Sequence, residues 1–169
     1  LFSTERNGVG FFQDLRGRLA EEFDADFIVV DSRSGIGEIA GVCTQQLADE
    51  VVMFTSLSRE SIKLTKVVAA GIRDSAVAKE LGKTVDVKVV IARVPKPDDL
   101  PAMKDRWLPE FGVEDDHLFF QFHSHELASE EYLAVDGPNR DEALTQSYTQ
   151  LFDGLNLGLG DDSIKDVVR

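Results

Sequence analysis

Asp26-Phe27-Ile28-Val29-Val30-Asp31-Ser32-Arg33-Ser34-Gly35 carries the strongest fold signal in this chain. Its apolar run has no polar alternation and is rich in Val and Ile, which predicts a strand over 26–31 buried on both faces of a parallel sheet. In open α/β sheets ligands bind beyond the carboxyl ends of the strands, where Asp31 would stand. A carboxylate there suits a hydrated Mg²⁺ beside nucleotide phosphates. Gly35 would let the following loop turn tightly or approach a phosphate. The same aspartate also suits an ordinary helix N-cap, so the residues alone leave both roles open.

Outward from this segment, helical and strand patterns alternate. Phe11, Phe12, Leu15, Leu19 and Phe23 form a stripe that predicts an amphipathic helix over 9–23. Ile36, Ile39, Ala40, Cys43 and Leu47 form a second stripe, and 50–55 reads as a second buried strand. Ser58 suits a helix cap, Leu64, Val67, Val68 and Ile72 supply that helix with an apolar face, and Gly82 suits its end. A third strand is expected over 85–94, stopped by Pro95 and Pro97. A charged helix comes next over 98–108, then a fourth strand over 118–122. Asn139 with Glu142 has the spacing of a capping box before a last helix carrying Leu144, Tyr148, Leu151, Phe152 and Leu155. Residues 158–169 read as a tail with a short helix near 162–168.

Strands separated by helices imply an α/β fold with a mainly parallel sheet and helices on both faces. Four strands are few for so many helices, so the sheet reads as incomplete. A length of 169 residues fits one domain with a real core. No apolar run is long enough for a transmembrane helix, and no secretory signal pattern occurs. The single cysteine excludes an internal disulfide and suits a cytoplasmic setting. A net charge of −13 argues against nonspecific nucleic-acid binding and against docking on anionic membranes.

Residues 23–35, continued by Gly41-Val42-Cys43-Thr44-Gln45-Gln46-Leu47-Ala48-Asp49-Glu50 and the strand 51–55, resemble the ParA/MinD-like (SIMIBI class) P-loop ATPases of the bacterial KGGVGK type. Those proteins share a D-S-R-T-G loop, a helix with C-T-x-Q-L, and an A/P-D pair opening the next strand. Ala92-Arg93-Val94-Pro95 and Tyr148-Thr149-Gln150-Leu151 resemble later parts of the family more loosely. The resemblance implies a three-layer, Rossmann-like P-loop NTPase domain over 1–157 and an Mg²⁺–ATP switch that dimerises with nucleotide. Asp31 would be the Walker B aspartate that holds Mg²⁺ through water. Gly35 would sense the γ-phosphate. Ser32 and Arg33 would lie in the switch loop, and Arg93 and Pro95 near the base. Ala92 stands where many relatives carry a base-reading asparagine.

One element of the family pattern is missing. Neither G-x-x-x-x-G-K-[ST] nor K-G-G-x-G-K occurs, and Gly8-Val9-Gly10 lacks both a lysine and a preceding apolar strand. Either the P-loop strand precedes Leu1 in a longer protein, which would bring further domains or protein partners, or the chain is a degenerate relative. The first is the expectation. On the family's fold the absent strand would lie between 26–31 and 50–55. The competing functional class is a catalytically inactive α/β module that binds protein through the same surface.

Remaining constellations have plainer readings. His123-Ser124-His125-Glu126 has metal-ligand residue types but no second ligand cluster, and reads as a polar loop. Cys43 sits on an apolar stripe and reads as packing. The acidic run 114–116 lacks an EF-hand pattern. Trp107, Phe119, Phe120 and Phe122 read as core aromatics.

Overall fold

The computed structural model describes residues 8–32, 37–95, 99–124, 142–155 and 157. Helix α1 spans Gly8–Phe23, and a short α2 (Glu38–Gly41) continues into a π-helical turn, Val42–Leu47. Strand β1 (Glu50–Thr55) leads to α3 (Arg59–Arg73) and α4 (Ala76–Glu80). Strand β2 (Asp86–Val94), α5 (Leu100–Phe111), a 3₁₀ turn (Asp115–His117), β3 (Leu118–Phe122) and α6 (Glu142–Asp153) complete the order.

The three strands pair in parallel in the order β1-β2-β3, with Val51 opposite Val87 and Val90 opposite Phe119. Alternation along a strand sends neighbouring residues to opposite faces. On one face Val87, Val89, Ile91, Leu118 and Phe120 are buried with Ile62, Ala69 and Ile72 of α3 and Phe111 of α5. On the other, Phe119 lies so close to the end of α6 that a Cβ on Gly154 would collide with its ring. Gln121, on that same face, donates to the hydroxyl of Tyr148. Helices therefore cover both faces, as the alternation of elements predicts. Coverage is uneven: Phe54, in register with Val90, stays 55% exposed at the β1 end.

Local chemistry explains most element ends. Ser58 Oγ accepts from Ser61 N at 3.1 Å and starts α3. The expected single helix to Gly82 is instead broken after Arg73. Ser75 is buried there, accepts from Ala78 N and donates to Gln45 Oε1 at 2.8 Å, so its side chain starts α4 instead of continuing α3. Gly82 ends α4 with φ of +69°, and Gly112 ends α5 with φ of +59°. Asp99 caps α5.

Three expectations need correction. The strand over 26–31 does not form: residues 27–31 carry no regular secondary structure and pair with none of the described strands. Val29 is 93% exposed. A strand with apolar residues on both faces needs a neighbour on an edge and layers above and below, and this segment has no sheet partner among the described residues. The sheet thus has three described strands, not four. Second, α3 buries Ile62, Thr65, Ala69 and Ile72, while Leu64 and Val67 are exposed. The buried residues recur at three- and four-residue spacing, so they share one helical face, and Leu64 and Val67 fall off it. Third, α1 forms as expected but none of its residues is buried. Polar bonds tie it to the π-helical turn and the loop before β1, Gln13 to Gln46 O and Arg16 to Leu47 O and Asp49. Ile36, Pro97, Asn139 and residues 158–169 lie outside the described residues.

Candidate functional site

In a parallel sheet all carboxyl ends lie at one edge. Here that edge carries Thr55, Arg93 and the segment after Phe122. β1 leaves it through a hydroxyl cluster: Ser56 Oγ lies 3.0 Å and Ser58 Oγ 2.8 Å from Ser61 Oγ, all at the amino end of α3. In the step from Ile91 to Val94, β2 carries one residue more than β3 does from Phe120 to Phe122. This bulge places Arg93 at φ of +59°, exposed, a conformation that costs a non-glycine residue energy and re-aims its side chain. Val94 O then accepts from His123 N at 2.8 Å, which ties the two strand ends together. Pro95 is exposed directly after the bulge.

The expected Mg²⁺ residue is placed differently. Asp31 is exposed and Ser32 half-buried in a segment without regular secondary structure, so Asp31 does not stand at a strand end. Arg33, Gly35 and His125 lie outside the described residues. The structure thus brings Thr55, Arg93 and Pro95 to one edge and does not bring Asp31 into the sheet.

The most elaborate polar cluster among the described residues lies at the opposite, amino edge, and the sequence reading missed it. Lys88 is 2% exposed within β2, yet its ammonium is 2.6 Å from both Glu50 Oε1 and Asp86 Oδ2. Glu50 and Asp86 are register partners on β1 and β2. Asp86 Oδ1 also lies 2.7 Å from His117 Nε2, while His117 Nδ1 lies 2.6 Å from Asp116 Oδ1. Burial alone pushes Lys88 down, but the hydrogen bonds and charges of Asp86 and Glu50 outweigh it and hold the ammonium above its ordinary value. Burial likewise pushes Asp86 up, and Lys88 and His117 together hold it below the usual carboxylate range. For His117, desolvation lowers and the two carboxylates raise; the carboxylates win. The sequence signal was Asp86-Val87-Lys88, two charges on one face at the start of a strand that is apolar from Val89 to Ala92, with Glu50 opening the other strand.

Glu114, Asp116 and His117 bring possible ligand atoms within 4.8 Å of one another. Both ring nitrogens of His117 already face carboxylates, leaving no lone pair for a cation in this arrangement. A second cluster holds α1 and the segment after α4 to the π-helical turn and the loop before β1. Lys83 Nζ donates to Gln46 O at 2.8 Å and Ala48 O at 2.7 Å, and Arg16 pairs with Asp49. Burial lowers the Lys83 ammonium despite Asp49. Cys43 is half-buried, and Phe120, Trp107 and Phe122 belong to the core. Among the described residues no helix is long and apolar enough to cross a membrane.

No family model, curated protein or solved structure matches the chain.

Proposed function

We propose that this chain supplies the Walker B and switch II half of an Mg²⁺–ATP-dependent molecular switch, with the phosphate loop carried by a strand outside residues 1–169. One observation carries the reading. Among the described strands β1 pairs only with β2, and the apolar segment 27–30 ends in Asp31 without a sheet partner. Both features call for the same thing, a strand seated between them. An open parallel edge leaves backbone groups unpaired and apolar side chains such as Phe54 and Val29 in water. A strand inserted there would pair β1 on one side and 27–31 on the other. It would bring Asp31 to the edge that already carries Thr55 and Arg93.

On this reading ATP and Mg²⁺ bind at the carboxyl edge, and the added loop supplies backbone N–H groups and a lysine to the phosphates. Asp31 holds the metal through water, and Gly35 with Ser32 and Arg33 responds to the γ-phosphate. Arg93 and Pro95 border the base. Hydrolysis releases the loop after Asp31, and a homodimer across the nucleotide face reads that change.

The test compares residues 1–169 with the protein extended by its phosphate-loop strand. The extended protein should bind Mg²⁺–ATP, and residues 1–169 should show no appreciable hydrolysis. Mg²⁺-dependent turnover by residues 1–169, abolished by Asp31→Ala, would overturn the proposed division. Absence of nucleotide binding in both would favour an inactive α/β protein-interaction module.

A further inference from the structure

We propose that His117 is a protonation-dependent clasp that fastens the 3₁₀ turn before β3 to the first residue of β2. Each ring nitrogen lies within 2.7 Å of a carboxylate oxygen, Nε2 with Asp86 and Nδ1 with Asp116. An ionised carboxylate only accepts hydrogen bonds, and a neutral imidazole has one N–H. Both contacts therefore require the imidazolium. When the proton leaves, one nitrogen lone pair faces an oxygen, and that contact must open. The surviving bond also loses its charge assistance.

The surroundings bias this equilibrium toward the proton. From β2 come Asp86 and Lys88, and from β1 comes Glu50, which with Asp86 encloses Lys88. The turn itself adds Glu114 and Asp116. From α5, Lys104 pairs with Asp115 at 2.9 Å and so takes up part of the turn's charge. The two carboxylates on the ring outweigh its desolvation, which agrees with the upward direction of the His117 shift. Asp116 is largely exposed while Asp86 is anchored by Lys88, so Asp116 is the partner that swings into water first. Of the two ring contacts, the Asp86 bond then remains.

Because the folded value lies above the unfolded one, the clasp contributes fully below about pH 6.5 and is lost as pH rises through the raised folded value. This is independent of nucleotide and is measured on the protein without it. The direct readout is the ring-proton titration of His117 by NMR in the unmodified chain, assigned with His117→Gln. The midpoint should lie above about 6.5, and Asp116→Asn and Asp86→Asn should each lower it. Between about pH 6 and pH 9 the native protein should lose about 2–4 °C of Tm relative to His117→Gln. Amide exchange at His117, which donates to Glu114 O at 3.0 Å, should speed up over the same range. A midpoint at or below about 6.5, or a gap in Tm that stays constant with pH, would overturn the clasp.

Discussion

Lys88 shows how a single charged residue can sit inside a parallel sheet. Its ammonium is removed from water, but two carboxylates at 2.6 Å replace the lost hydration. Lys88→Ala should therefore cost about 3–5 kcal/mol in denaturant unfolding, because Glu50 and Asp86 would lose the ammonium that sits between them. The double variant Glu50→Gln with Lys88→Met should lose clearly less than Lys88→Ala. A loss under about 1 kcal/mol for Lys88→Ala would show that the pair is solvated and the packing wrongly assigned. Asp86 has the opposite pH sign to His117. Its depressed value means stability that is present above about pH 4 and lost as pH falls through the folded value. Arg93 lives under a different constraint, a left-handed backbone at the bulge. Arg93→Gly should leave stability unchanged or raise it by up to about 1 kcal/mol, since glycine adopts that conformation freely. If Arg93 borders the base, the same variant should weaken nucleotide binding in the extended protein, which calorimetry would detect.

Elements were legible where the local pattern was also the final environment. The stripe of 9–23, the apolar runs 50–55, 85–94 and 118–122, and the Ser58 cap all correspond to observed elements. Helix α3 shows where size misleads. Leu64 and Val67 looked like its core, whereas Thr65 and Ala69 fill that place because they share the helical face of Ile62 and Ile72. Leu64→Ser should consequently change stability by no more than about 0.5 kcal/mol. Gly154 is the reverse case, a small residue with a fixed reason. A methyl there would run into the ring of Phe119, with one ring atom at 2.7 Å, so Gly154→Ala should cost about 1–3 kcal/mol as the ring or α6 shifts. A neutral Gly154→Ala in thermal melts would mean that α6 does not pack on Phe119. The segment 26–31 is the instructive failure. Its composition is that of a doubly buried strand, but pairing is supplied by neighbours, and β1 is joined to β2 alone among the described strands. Of the residues expected near the carboxyl edge, Thr55 and Arg93 are found there and Asp31 is not. The Glu50–Lys88–Asp86–His117 network was not read, because strand charges ordinarily face solvent and only tertiary packing reveals which ones are enclosed.

Across the molecule, the two ends of one sheet have different characters. The amino edge is closed by a charge network that ties β1, β2 and the turn before β3. The carboxyl edge is looser, with exposed Arg93 and Pro95 and a hydroxyl cluster. Whether the carboxyl edge becomes an Mg²⁺–ATP site centred on Asp31 can be decided with one pair of proteins. ATP hydrolysis and thermal melting would be measured on the extended protein and its Asp31→Asn variant. We expect Mg²⁺-dependent turnover that falls by orders of magnitude in the variant while Tm barely moves. Equal turnover in the two proteins would contradict the proposal.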